Sequence, residues 1–150
     1  MPGTIVLCTD GSELALHALR AGLAVLAPAE RVVVATAIDP IDPSLVAGAG
    51  LAGGVMSPSA FDELTEAQQA EGQEVVDHTA AALDLASAET RVLRGSPGPV
   101  LCDLAAEVDA AALVLGSRGR GGIARALLGS VSDHVVRHAP CPVVITTPHD

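Results

Sequence analysis

The sequence predicts a doubly wound α/β domain in which a five-stranded parallel sheet carries helices on both faces. Short apolar segments alternate along the chain with longer amphipathic segments, which is typical of repeated β-α units. Four of the five strand candidates are nearly continuous runs of Val, Ile, Leu and Ala, and such strands are usually covered on both faces. The chain has 150 residues, and we expect one domain over residues 1–150.

The elements follow from the apolar runs and from the turn residues between them. Strands are predicted at Thr4–Thr9, Arg31–Ile38, Glu89–Leu93, Ala111–Gly116 and Pro142–Thr146. Helices are predicted at Ser12–Leu26, Ser59–Ala86, Pro97–Val108 and Ser130–His138. The Pro- and Gly-rich segment Asp39–Pro58 has weak periodicity, so a flexible loop or lid is expected there.

Helix start signals support these boundaries. Ser12 follows a glycine and can cap the first helix. Ser59–Asp62 and Ser130–Asp133 both have the S-x-x-D form of a capping box. Ser96 precedes Pro97, which suits the first position of a helix.

The composition excludes several functions. The net charge is −10, which opposes general nucleic-acid binding, and the one aromatic residue, Phe61, offers no stacking platform for bases. The chain has no lysine, which excludes a Walker A lysine or a Schiff base. No run reaches the roughly 18 apolar residues that a membrane span needs.

The cysteines and the first residues indicate a cytoplasmic protein. Cys8, Cys102 and Cys141 are odd in number and lack C-x-x-C spacing, as expected in a reducing compartment. We expect Cys8 and Cys102 to fill the core and Cys141 to lie at a strand edge. The opening MPGTIVLCTD lacks the basic start of a signal peptide.

The glycine-rich stretch LVLGSRGRGGIARALLGSVSDHVV, residues 113–136, is the strongest candidate for a site. It follows the fourth strand, and its glycines allow the backbone to approach a ligand closely. Gly129 and Ser130 then open a helix whose first N–H groups can face an anion. Three of the eight arginines also lie in this stretch, at Arg118, Arg120 and Arg125. A solvated loop remains the alternative, but the pattern favours a phosphate-binding site.

The loop after the first strand belongs to the same prediction. Ligands of open parallel sheets bind at the carboxyl ends of the strands, where the strand order reverses. If strands one and four are neighbours, Asp10 faces the glycine-rich stretch across that crevice. Its carboxylate can accept from a ribose hydroxyl or help to hold Mg²⁺.

The spacing of the glycines resembles a known family. Gly116, Gly119 and Gly129-Ser130 spell G-x2-G-x9-G-[ST], which resembles the nucleotide-binding motif of the ATP-binding branch of the universal stress proteins. TIVLCTDGSELALHAL, VVVATAID, the segment 94–119 and HAPCPVVIT are similar to other parts of that family, so the resemblance covers the whole chain. It implies a Rossmann-like fold of the adenine nucleotide alpha hydrolase type and a cytosolic stress-response module that binds ATP, or ADP or AMP.

The resemblance also implies roles for individual residues. Asp10 would contact the ribose or the metal–phosphate region, Ala37 would present its backbone to adenine, and Leu115 and Gly116 would flank the base and ribose. The phosphates would lie along Arg118, Gly119, Gly129, Ser130 and Val131. The resemblance implies a homodimer through the last strand, residues 142–147, and the uncharged edge of that strand favours the same pairing. Ala37 is smaller than the valine often found there, so adenine packs less tightly.

Several alternatives remain open at this point. The same crevice can serve a slow Mg²⁺-dependent nucleotide hydrolase, or the fold can serve a nucleotide-free interaction protein. Residues 48–53 match G-x-G-x-x-G and residues 119–124 match G-x-G-x-x-A, but both lack the context of a dinucleotide site. His134 and His138 have the spacing of a metal pair without an evident third ligand, so a solvated helix end is favoured.

Overall fold

The computed structural model describes residues 3–47, 55–117 and 128–147. Strands and helices alternate along the chain. In order, they are β1 Thr4–Cys8, α1 Glu13–Ala24, β2 Arg31–Ile38, α2 Ser44–Ala47, α3 Pro58–Ala82, β3 Glu89–Arg94, α4 Pro97–Glu107, β4 Ala110–Gly116, α5 Ser130–His138 and β5 Val143–Thr146.

The strands form one parallel sheet in the order β3-β2-β1-β4-β5. The chain therefore winds from β1 through β2 to β3 in one direction, and from β1 through β4 to β5 in the other. The reversal lies between β1 and β4, where open α/β sheets bind their ligands. The predicted fold class is confirmed, and β1 and β4 are neighbours, which is the condition for Asp10 to face the stretch after β4.

Both faces of the sheet are buried, because successive side chains of a strand point to opposite sides. One face packs against α1 and α3, and its core includes Ile5, Leu7, Leu19, Val34, Val76 and Val114. The other face packs against α4 and α5, and its core includes Val6, Val33, Leu101, Leu104, Leu113 and Val135. None of the helices in the three described ranges has the length and apolarity that a bilayer crossing requires.

The expected loop at residues 39–58 contains more structure than the sequence predicts. A short helix, α2, begins at Ser44, whose N–H donates to Asp42 Oδ1 at 2.9 Å. That bond lowers the pKa of Asp42. Residues 48–54, including the first glycine motif, lie outside the described residues.

The capping box expected at Ser59 is wrong. The cap of α3 is Ser57, whose Oγ accepts from the Ala60 N–H at 3.1 Å. The reason is Pro58, which suits the first helical position because its missing N–H is not needed there. At its other end α3 stops at Ala82 instead of Ala86, and Asp84 adopts a left-handed φ of 57°.

Candidate functional site

A cavity of about 900 Å³ opens at the carboxyl ends of β1, β2 and β4. Its floor is formed by the last residues of these strands, and its walls by α3, α4 and the start of α5. The residues that line it include Thr9, Asp10, Ala37, Asp39, Gln68, Glu71, Leu115, Gly116, Gly129, Ser130, Val131 and Ser132. This cavity lies at the point where the strand order reverses.

The turn between β1 and α1 fixes the carboxylate of Asp10. Ser12 donates to Asp10 Oδ1 twice, from its N–H at 2.9 Å and from its hydroxyl at 2.5 Å. The same hydroxyl accepts from the Ala15 N–H at 3.1 Å, so the predicted Ser12 cap is confirmed. Gly11 has a φ of 81°, which glycine adopts without strain. The turn therefore holds Asp10 at the wall of the cavity.

Ala37 presents its peptide edge to the cavity. The Thr9 N–H donates to Ala35 O at 2.9 Å, so the peptide groups of Ala35 face β1. Alternate residues of a strand point the same way, and the peptide groups of Ala37 therefore face the same side, beyond the end of β1. The Gly11 N–H is the donor that would extend the ladder to Ala37, and it donates to Thr9 Oγ1 at 3.0 Å instead. The main-chain oxygen of Ala37 thus faces the cavity without the ladder bond from Gly11.

Ser117 connects the end of β4 to the start of α5. Its N–H donates to the main-chain oxygen of Thr146, the last residue of β5, at 2.9 Å. Its carbonyl accepts from the Gly129 N–H at 2.8 Å and from the hydroxyl of Ser132 at 3.1 Å. Ser132 is only 2% exposed, and its hydroxyl also donates to Gly129 O at 3.0 Å. These bonds fix the first turn of α5 against the strand end.

The first turn of α5 points donors at the cavity. Its cap is Gly129, with φ −64° and ψ 166° and no side-chain capping bond, so the predicted Ser130–Asp133 capping box is wrong. Ser130 is instead the first helical residue. The N–H groups of the first three helical residues have no acceptor inside the helix. Those residues, Ser130, Val131 and Ser132, all line the cavity.

Helix α3 supplies a wall that sequence reasoning missed. Gln68, Glu71, Gly72 and Val75 line the cavity, and their spacing places them on one side of the helix. A Cβ on Gly72 would come within 2.7 Å of Val92 Cγ1, so glycine lets α3 approach the sheet closely. In the sequence, α3 shows only a pattern of small and polar residues, and this pattern does not indicate which side of the helix faces a ligand.

Seven of the residues expected at the site line this cavity: Asp10, Ala37, Leu115, Gly116, Gly129, Ser130 and Val131. The remaining two, Arg118 and Gly119, lie outside the described residues, as do Arg120, Arg125 and the second glycine motif. The structure thus brings together residues from the ends of three strands and from the start of α5.

The thiols are held in their neutral form. Cys8 lies at the base of the cavity, and burial raises the pKa of its thiol, with smaller contributions from Cys102 and Cys141. Burial also raises the pKa of Cys102 and of Cys141. All three cysteines pack in or against the core between the sheet and α4–α5, as expected for Cys8 and Cys102.

Within the described part of the chain, no group of three or more His, Cys, Asp and Glu side chains is arranged to hold a metal ion. His134 and His138 stack with ring centroids 4.3 Å apart, and His138 Nδ1 lies 2.9 Å from His134 O. Mg²⁺ is often held by one or two carboxylates together with the phosphates of a bound nucleotide, an arrangement that needs no such cluster.

The fold and the cavity define a class of parallel α/β proteins that bind ligands where the strand order reverses. Comparison with known proteins narrows this class. The model of the universal stress protein family matches residues 1–147, and the chain belongs to that family. The family resemblance seen in the sequence is confirmed.

Individual relatives agree with this assignment. A universal stress protein of Synechocystis sp. is 31% identical over 152 residues, which cover 95% of this chain and 96% of the relative. The crystal structure of a universal stress protein in complex with cAMP is 30% identical, with a TM-score of 0.65 and 97% of each chain covered. A family member from Arabidopsis thaliana with AMP bound is 18% identical and shares the fold, with a TM-score of 0.62 over 99% of this chain and 93% of that chain.

Proposed function

We propose that the chain binds ATP in the cavity at the ends of β1, β2 and β4 and acts as a nucleotide-dependent stress-response module. The observation that carries this proposal is the pairing of two features on one cavity. The peptide edge of Ala37 and the first turn of α5 both face it. The first feature suits a base, and the second suits phosphates.

The base would bind along Ala37. The N6 amino group of adenine is a donor and its N1 is an acceptor, so the pair matches the carbonyl and N–H of one residue. Leu101 and Leu115, both nearly fully buried, supply apolar surface beside this edge. Nucleotide pockets commonly combine an apolar lining with a few fixed polar groups.

The phosphates would bind at the first turn of α5. Ser130 and Val131 bring N–H groups without intrahelical acceptors, and the positive end of the helix dipole lies at the same place. Gly129 contributes backbone that no side chain obstructs, although its own N–H is used by Ser117. By the family resemblance, Arg118 and Gly119 would lie along the same phosphates, and Gly116 would lie beside the ribose.

Asp10 would act at the junction of ribose and phosphates. Its Oδ1 already accepts two hydrogen bonds from Ser12, which fixes the carboxylate as an acceptor for a ribose hydroxyl. The same oxygen chemistry suits Mg²⁺, and Asp10 would hold that ion together with the phosphates of the nucleotide. The ion would supply charge neutralisation of the phosphates.

A relative supports the nucleotide class. The universal stress protein crystallised in complex with cAMP is 30% identical to this chain over nearly its whole length. An adenine nucleotide in this cavity is consistent with that complex. The more specific proposal, that the nucleotide is ATP, rests on the G-x2-G-x9-G-[ST] motif and on Asp10 opposite to it.

We also propose a cytoplasmic homodimer whose single domain spans residues 1–150. Strand β5 lies at one edge of the sheet and pairs within the chain with β4. Its residues VVIT carry no charge, and an uncharged edge is a pairing site. The other edge, β3, carries the charged residues Glu89, Arg91 and Arg94.

Calorimetric titration with ATP tests the proposal, together with chromatography of the supernatant after the purified protein is denatured. Binding of ATP, or release of an adenine nucleotide, is the expected result. Absence of both would overturn the proposal. Steady release of phosphate that disappears in Asp10→Ala would instead favour the hydrolase alternative, whereas we expect the site mainly to hold its ligand.

A further inference from the structure

Gln68 on α3 lies on the cavity wall beside the end of β2. Its Nε2 donates to the main-chain oxygen of Asp39 at 3.0 Å. A carbonyl oxygen can only accept a hydrogen bond, so this contact determines which end of the carboxamide is nitrogen. The other end, Oε1, is therefore an acceptor. It is buried and has no hydrogen-bond partner among the residues that the structure describes.

A buried acceptor without a donor costs free energy, and native proteins seldom leave one. The position of this one is informative. Asp39 is the first residue after β2 and follows Ala37 by two residues, and both line the cavity. Gln68, attached to Asp39, thus lies next to the peptide edge that Ala37 presents to the cavity. The oxygen is covered in this arrangement, so a ligand would have to displace the groups that cover it.

We propose that Gln68 Oε1 accepts a hydrogen bond from the 6-amino group of a bound purine and makes the site select 6-amino over 6-oxo bases. This inference rests on the proposed nucleotide function. The amino group carries two hydrogens, of which the Ala37 carbonyl takes one and Gln68 the other. Glutamine is well matched to the amino edge of adenine.

A 6-oxo purine places an oxygen where the amino group would lie. Two acceptors would then face each other at Oε1, which is buried, and neither would be satisfied. Sites built to hydrogen-bond one group reject analogues that lack it, because their buried polar atoms are left unpaired. Gln68 would therefore determine base specificity without contacting the phosphates.

Calorimetric affinities for ATP and ITP test this role. The wild-type protein is expected to prefer ATP, and Gln68→Met should lower the ATP-to-ITP preference about tenfold, because methionine keeps the length but not the acceptor. Gln69→Met is the matched control, since Gln69 is exposed on α3 and contacts Arg94. An unchanged preference in Gln68→Met would overturn the inference while leaving nucleotide binding intact.

A second test changes the nucleotide as well as the protein. ATP methylated at N6 lacks one of the two amino hydrogens, so it should bind the wild-type protein about tenfold more weakly than ATP. In Gln68→Met this penalty should shrink. An equal penalty in both proteins would contradict the role of Gln68. Failure of the wild-type protein to bind either ATP or ITP would instead overturn the proposed function, and the inference with it.

Discussion

Thr9 Oγ1 accepts the main-chain N–H of Gly11 at 3.0 Å, and this contact ends the β1–β2 ladder one step before Ala37. The Thr9 side chain is buried, and its hydroxyl also lies 3.2 Å from Thr79 Oγ1 on α3. A single threonine thus redirects a donor that would otherwise pair with Ala37. The proposed binding of adenine along Ala37 depends on this relationship.

Thr9→Val is expected to weaken ATP binding about tenfold, because it releases the Gly11 N–H to compete for Ala37 O. It should also lower the free energy of unfolding by about 1 kcal/mol, the typical value of one hydrogen bond. Thr79 keeps its own bond to Val75 O at 2.8 Å, which limits the loss. Calorimetry and urea unfolding measure the two effects.

The control for this variant is Thr90→Val. Thr90 accepts from Gln73 Nε2 at 3.1 Å on β3, away from the cavity. The Thr90→Val protein should lose about as much free energy of unfolding as Thr9→Val and keep its affinity for ATP. Equal affinity losses in Thr9→Val and Thr90→Val would show that the β1 turn has no special role.

Ser130→Pro is expected to weaken ATP binding between about tenfold and a hundredfold, as for loss of one hydrogen bond to a charged group. Proline removes the N–H at the first helical position, where its fixed φ is compatible with the helix. The extended ψ of 166° at Gly129 suits a residue that precedes proline. Helices α3 and α4 already begin with proline.

Ser130→Ala separates the hydroxyl from the N–H. It removes only the side-chain oxygen, so its effect on affinity should be smaller than that of Ser130→Pro. Circular dichroism checks that both variants keep their helices. Wild-type affinity in a folded Ser130→Pro protein would exclude a phosphate at this N–H.

Gly22→Ala is expected to destabilise the fold. A Cβ at Gly22 of α1 would lie 2.3 Å from Cγ1 of Val114, a fully buried residue of β4. Overpacking should lower the free energy of unfolding by about 1–3 kcal/mol. This loss outweighs the gain of about 1 kcal/mol that the higher helix propensity of alanine contributes. Thermal unfolding should show a lower Tm, and the addition of Val114→Ala should cost less in Gly22→Ala than in the wild-type protein. Strictly additive losses would rule out direct contact as the cause.

The Cys8 thiol is expected to react with Ellman's reagent only after the protein unfolds. Burial raises its pKa, so little of the reactive thiolate forms at pH 8.5 or below. Cys102 and Cys141 are partly exposed and should react first, though slowly because burial raises their pKa as well. Peptide mapping after timed labelling identifies the modified residue. Rapid labelling of Cys8 in the folded protein would contradict the assignment.

Glu89 is expected to contribute stability that disappears in acid. Hydrogen bonds from Arg31 and Arg91 lower its pKa below the usual 4.5. A lowered pKa in the folded state gives stability that is present above the unfolded-state pKa and lost as the pH falls through the folded-state value. Glu89→Gln should therefore be slightly less stable at pH 7, and the difference should vanish well below pH 4.5. Glu63→Gln, at an exposed residue of α3, is the control.

The sheet could be predicted from the sequence because its strands are nearly continuous apolar runs, such as IVLC in β1 and VVVA in β2. The short helix α2 could not, since its start depends on one bond from Ser44 to Asp42. The caps of α3 and α5 each lie before the serine that the capping-box pattern selected. Pro58 explains the first shift, whereas Gly129 has no side chain that the pattern could recognise.

The strand ends at the candidate site could also be predicted, because parallel strands bring their carboxyl ends to one edge. Gln68 and Glu71 could not. They lie in a long polar helix, and only its packing on β2 and β3 turns them toward the cavity. The role of Thr9 was hidden for a similar reason, since its bond to Gly11 depends on the turn geometry.

The most direct test of the binding site is a two-dimensional ¹H–¹⁵N NMR titration of the labelled protein with ATP. We predict large amide shifts at Ala37, Gly116, Ser130 and Val131, which lie around one cavity. Small shifts are expected in the groove between α3 and β3 that includes Asp77 and Thr90. Shifts concentrated in that groove, or no shifts at all at saturating ATP, would contradict binding of ATP in this cavity.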